Sequence, residues 1–367
     1  MALRGFDRKR LTLRPLAERE NRVDIEKDHV TVRTSHRTLP LVMQERVAAA
    51  AAGIKRAREQ ERPVILAFGA HLIKNGLAPV LIQFLEEGWI THLATNGAGI
   101  IHDWEFAYQG ASSEHVQKNI ESGLFGLWQE TGFNLNLAII VGAFQGLGYG
   151  ESVGALVSND GLDIPSTDEL MKVIGEATQE PERAAAAADL LGAIKSHGLE
   201  SGLLKVTHPY KAYGLQAAAY RLGIPYTAHP MFGHDIIYTH PMNLGAAIGR
   251  TAERDFLAFA GAVEEIEGGV YLSIGSAVMS PMVFEKSISM AQNIAIQNKG
   301  PIRDFSLYIV DLAESDWDWQ TGEPPESDPA YYVRYLKSFS RVGGRMNYIQ
   351  ADNRDFLISL YREIHGR

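Results

Sequence analysis

Residues 64–105 constrain this chain more than any other stretch. The run VILAF is apolar without a break and stops at Gly69. Leu77, Val80, Leu81 and Phe84 then recur at helical spacing, up to a stop at Gly88. A second apolar run over residues 90–94 opens into Thr95-Asn96-Gly97-Ala98-Gly99. Strand, helix, strand in that order, with strands apolar on both faces, predicts a parallel sheet covered by helices. Ligands of such sheets lie at the carboxyl ends of the strands. Two of those ends fall side by side here, and small residues at both let a ligand approach the backbone.

The same alternation runs on. Residues 41–58, 166–174, 181–197, 213–222, 256–263 and 284–297 pattern as helices, and the C-terminus is helical. Residues 106–130 read as mostly helical. Residues 135–141, 203–206, 224–228, 269–273 and 305–310 pattern as strands. The expected fold is α/β, a three-layer, Rossmann-like, doubly wound and mostly parallel sheet. Residues 1–40 are polar and read as an arm that packs on the body or on another subunit, and residues 41–367 as one domain. The acidic, Pro- and Trp-bearing stretch 315–328 reads as a long loop, a place where function often sits.

Composition excludes some chemistry. The chain of 367 residues has no cysteine, so thiolate catalysis, disulfides and cysteine–metal sites are out, and a cytoplasmic protein is expected. The net charge of −9 argues against nucleic acid as the main partner, and no apolar run is long enough to span a bilayer.

Several residues could carry chemistry. Gly146, Gly148, Gly150 and Gly154 resemble a dinucleotide fingerprint, but Glu151 stands where G-x-G-x-x-G needs its last glycine, which favours a connection. Residues 95–99 suit either a cofactor's approach to the backbone or a tight turn. His102, Asp103 and Glu105 could form an oriented proton-transfer group, or cap and begin a helix. His229, His234, Asp235 and His240 cluster without any standard zinc spacing, so no metal is assigned and Asp235 is read as a substrate-binding acid. Gly275-Ser276-Ala277 follows another buried strand and precedes a helix, as an anion-binding turn does. Lys337 lies among Tyr331, Tyr332, Tyr335 and Phe339, where a lysine can become an imine-forming nucleophile or remain a surface cation.

Taken together these blocks resemble deoxyhypusine synthases, as a divergent member. The resemblance covers residues 64–356 in short matches. Gly69-Ala70-His71 and Asn96-Gly97-Ala98-Gly99 are similar to the family's cofactor turns, Gly275-Ser276-Ala277 to its glycine turn, and Asp352 to its later cofactor acid. Asp103 falls on an acid near the cofactor, His234-Asp235 on the amine-binding acid, and Lys337 on the imine lysine. Met279-Ser280-Pro281 and Tyr331 depart from the family's pattern. The resemblance implies NAD, a small amine substrate (polyamine or amino acid) and a homotetramer. It also implies a transferase that works through transient oxidation and a lysine imine. His102 and Asp103 are the expected proton-transfer pair, and His234 and His240 accompany Asp235 at the substrate. The alternatives are an NAD-dependent lyase, cyclodeaminase or dehydrogenase of an amino acid or sugar, and a non-catalytic binding protein.

Overall fold

Six parallel strands form the centre of the molecule in this computed structural model, which describes residues 5–298 and 300–366. They are β1 (Val64–Phe68), β2 (His92–Thr95), β3 (Tyr226–Ala228), β4 (Val270–Ile274), β5 (Ser306–Asp311) and β6 (Arg345–Gln350). Their order across the sheet is β3-β2-β1-β4-β5-β6. That is the doubly wound order, with its topological switch point between β1 and β4.

Alternate residues of each strand serve opposite faces. Val64, Leu66 and Phe68 of β1 join one apolar core, and Ile65 and Ala67 join the other. The Leu41–Glu59 and Asn353–Ile364 helices cover the first face. Phe284 and Ile288 of the Met279–Asn298 helix and Phe339 of the Arg334–Ser340 helix cover the second. Burial on both faces explains why these strands are apolar without alternation; each Val, Leu or Phe so buried is worth roughly 1.5–3 kcal/mol.

Between β2 and β3 the chain builds a largely helical insertion with two small antiparallel sheets. Gly161–Ile164 pairs with Gly202–Lys205. Ala111–Glu114 pairs with Asn21–Asp24, which ties the N-terminal arm onto the insertion. Arg8 adds bonds to the Tyr238 carbonyl (2.9 Å) and the Asn243 side chain (2.9 Å).

Two elements differ from the sequence expectation. Residues 135–141, expected as a strand, lie inside the Gln129–Gln145 helix. That helix is buried on nearly every side, so its apolar run has no polar face to reveal a helical period. Residues 106–130, expected to be mostly helical, are broken by the Ala111–Glu114 strand, whose partner lies about 90 residues earlier in the chain and left no local signal.

The glycine series 146–154 is a packed corner. Gly146 (φ 84°) ends one helix and Gly148 precedes the next. A Cβ on Gly150 would sit 1.9 Å from the Tyr226 carbonyl. Asp255 accepts from the N–H groups of Gly150 (2.9 Å) and Ala228 (2.7 Å), so it closes the free edge of β3.

Candidate functional site

β2 ends at Thr95, and the Gly97–Gln109 helix starts almost at once. Asn96 caps it, accepting from the Gly99 N–H at 2.9 Å. Ala98, Ile101, His102 and Glu105 follow at helical spacing on one face and line a cavity of about 200 Å³. Lys74, Phe125, His234 and Asp235 line it as well.

A chain of short bonds crosses this cavity's wall. Arg19 grips Glu105 with both guanidinium nitrogens, at 2.6 and 2.7 Å, and both side chains are 1% exposed. Ser112 Oγ donates to Glu105 Oε2 at 2.6 Å, and His102 Nδ1 lies 2.7 Å from the same Oγ. Thr131 donates to the other Glu105 oxygen at 3.2 Å. Burial opposes ionisation of Glu105, but the Arg19 charge and these donors outweigh it and hold the carboxyl below its ordinary range. Burial depresses His102 more than the Glu105 charge raises it, so the imidazole is neutral near pH 7.

Asp235 sits on the far side. Its Oδ2 is buried with no hydrogen-bond partner among the described residues, and its side chain caps no helix. A Cβ on Gly97 would lie 2.1 Å from that oxygen, so only glycine lets the carboxylate rest against the start of the Gly97–Gln109 helix. Burial pushes the Asp235 carboxyl up to about 7. Among the described residues the Tyr149 and Tyr238 hydroxyls are also buried without partners. Burial raises both phenols, and the nearby Asp235 charge adds to it.

The other expected site residues lie elsewhere or do other work. Asp103 follows His102 on the helix and points away from the cavity. Its carboxylate accepts from the Leu215 (2.9 Å) and Gln216 (2.8 Å) N–H groups, capping the Leu215–Leu222 helix. Burial raises it to about 6 against those two donors. His240 is buried by Phe133, its Nδ1 accepting from the Met242 N–H at 3.0 Å. His234 lines the cavity and is exposed.

At the switch point Gly69 packs on the Gly275 loop, where a Cβ would meet the Gly275 carbonyl at 2.1 Å. His71 and Lys74 stand where G-x-G-x-x-G would place its later glycines, and Ala70 begins a short helix. Gly275 has φ 57°, Ser276 Oγ accepts from the Ser280 N–H at 3.2 Å, and Ala277 completes the turn. Asp352 caps the last helix through the Arg354 N–H at 2.9 Å. Lys337 Nζ lies 3.5 Å from the Tyr331 ring centre and 3.9 Å from Glu323, and it lines no part of the cavity.

Sequence reasoning missed Arg19, Ser112, Tyr149 and Tyr238, and met Lys74 only as part of the turn that follows Gly69. The three-residue interval between His102 and Glu105 was the one local sign that these two, and not Asp103, share a face.

No protein-family model and no curated protein matches the chain. Among solved structures it is similar to unliganded AgrE at 13% identity and TM-score 0.43, covering 91% of this chain and 34% of AgrE. AgrE has also been solved as a ternary complex with ornithine and NAD+. The chain is similar to a conserved LOR/SDH protein from Methanococcus maripaludis S2 at 12% identity and TM-score 0.44, covering 92% of this chain and 72% of that one. ArgZ, an arginine dihydrolase, is similar at 15% identity and TM-score 0.39, covering 90% of this chain and 34% of ArgZ. The chain thus spans about a third of the length of AgrE and ArgZ. None of these is a deoxyhypusine synthase, so that resemblance is corrected. Among its motif residues, Asp103 and Asp352 bond to helix-start N–H groups, and Lys337 is half-buried beside Tyr331 and Glu323.

Proposed function

We propose that this chain is an enzyme that binds NAD and acts on a small α-amino acid, as a lyase or cyclodeaminase or as a dehydrogenase. The observation that carries this reading is the cavity's lining: beside the Arg19–Glu105 pair and the exposed His234 stand the cation Lys74, the unpartnered carboxylate Asp235 and the imidazole of His102, in about 200 Å³. That volume lies below the roughly 300–1,000 Å³ of drug- and cofactor-sized sites, so it suits a small substrate. An α-amino acid brings the complementary pair of charges. Lys74 meets its carboxylate. Asp235 takes its ammonium. His102 accepts the proton that the amino group gives up.

The cofactor belongs at the crest of the sheet. Gly69 and Gly275 flank the switch point, and Gly97 and Gly99 open the helix at the neighbouring strand end, where ligands of such sheets lie. Residues 69–71, 96–99 and 275–277 would hold the dinucleotide. When bound, NAD supplies a two-electron acceptor for a substrate C–H bond.

Calorimetry with NAD+ on the full chain, followed by thermal-shift and turnover assays with the common L-α-amino acids plus NAD+, tests this. An NADH signal marks a dehydrogenase; ammonia release without net NADH marks a lyase or cyclodeaminase. Asp235→Asn and Lys74→Met should each abolish the amino-acid response and leave NAD+ binding intact. A protein that binds no NAD+, or responds to no amino acid, sinks the corresponding half of the proposal.

A further inference from the structure

We propose that Arg19, carried by the N-terminal arm, is a positioning residue: through Glu105 and Ser112 it fixes which nitrogen of His102 holds the proton. This rests on the reading of His102 as the site's base.

The argument is one of counting protons. Arg19 has only donors, and it makes two bonds to Glu105 in a setting closed to water. A carboxylate gripped this way is ionised and can only accept. Ser112 Oγ, at 2.6 Å from Glu105 and itself fully buried, must therefore spend its single hydrogen on Glu105. His102 Nδ1, at 2.7 Å from that same oxygen, must then supply the hydrogen between them. The ring is left as the Nδ1–H tautomer with a bare Nε2 lone pair, the form a general base needs. Ser112 is thereby excluded as a nucleophile, because its proton is committed to Glu105.

Remove the Arg19 charge and the order loosens. Glu105 would take a proton rather than stay buried and unpaired, and a protonated Glu105 can donate to Ser112. Ser112 could then donate to Nδ1, and the ring would carry its hydrogen on Nε2. The charged or titratable groups acting on His102 are Glu105, Lys74, Arg19 and His71, and among the described residues Glu105, with Arg19 behind it, reaches it through a hydrogen-bonded chain. Arg19 lies just ahead of the strand that ties the arm to the insertion, so docking of the arm and readiness of the base are one event.

Nitrogen NMR on full-length protein labelled at histidine reads the tautomer directly, with the His102 signals assigned by their loss in His102→Gln. The expected wild-type pattern is a pyrrole-like Nδ1 and a pyridine-like Nε2. Ser112→Ala and Arg19→Met should each move Nε2 toward the pyrrole-like position, and Arg19→Lys should restore the wild-type pattern at least in part. If Arg19→Met does not fold, Ser112→Ala and Arg19→Lys carry the test. A wild-type ring protonated on Nε2, or a pattern unchanged in Ser112→Ala or in folded Arg19→Met, overturns the proposal. Calorimetry with NAD+ on the same samples separates the two claims: lost NAD+ binding with an intact Nδ1–H pattern counts against the cofactor reading alone.

Discussion

The two ends of the sheet's carboxyl edge treat their polar groups differently. On the β4–β6 side the groups that looked chemical are consumed locally, although the Tyr335 hydroxyl stays bare: Ser276 and Asp352 cap helices, and Lys337 is held between Tyr331 and Glu323. On the β1–β3 side they divide into a fully satisfied chain, Arg19–Glu105–Ser112–His102, and a set left without partners, Asp235, Tyr149 and Tyr238. Unpaired buried polar groups cost stability, so a fold keeps few of them without a use. The contrast teaches that strand-end position alone does not make a site; what matters is whether a group's bonding capacity has already been spent.

The largest effect expected falls on the satisfied chain. Arg19→Met removes the ion-pair partner of the buried Glu105, which must then take up a proton, and should cost about 3–5 kcal/mol of stability in denaturant unfolding. A loss under about 1 kcal/mol, the range of an exposed pair, would erase the difference between the two sides.

Next comes the base. Once a substrate is in hand, His102→Gln should lower kcat/KM by roughly 10²–10⁴ without changing the melting temperature greatly. Unchanged turnover would move the chemistry away from this cavity.

Asp235→Asn tests the unpartnered set through pH. The ordinary carboxyl value is 3.8 and burial raises the folded one to about 7. As pH rises past the lower value the unfolded chain ionises first, so wild-type stability is lost until the folded carboxyl ionises too. The variant lacks this loss. It should therefore gain on wild type across that window, by on the order of 2–4 kcal/mol at pH 8, and converge with it near pH 4. Paired unfolding curves at the two pH values check this; a gap independent of pH would mean that the carboxylate is already satisfied.

The smallest effect belongs to the other end of the sheet. Lys337→Ala removes one ring contact and one long ion pair, and should change stability by less than about 1 kcal/mol and leave turnover untouched. A large loss of activity would restore this lysine to the chemistry and collapse the contrast.

Much of the frame was legible in the chain. The run from Val64 to Phe68 reads as a buried strand because both its faces meet helices. Gly69, Gly97 and Gly275 were visible as strand ends free of side chains. The site was legible only in part. His102 and Asp235 could be picked out, but so could Asp103 and His240, which look equally chemical as letters. Nothing local distinguishes a carboxylate that caps a distant helix from one left bare, because the deciding N–H groups of Leu215 and Gln216 lie more than a hundred residues away. The Gln129–Gln145 helix hid for a related reason: burial on every side erases the period by which a helix is recognised.

The sequence by itself determined the layered α/β sheet, the strands apolar on both faces and the glycine-lined strand ends, since these follow from local periodicity and steric freedom. Only the tertiary structure decided the strand order, the docking of Arg19 on Glu105, and which acids were spent as caps and which remained available. Those outcomes depend on hydrogen-bond partners brought together across long stretches of chain, and such pairings leave no periodic trace in the residues that make them.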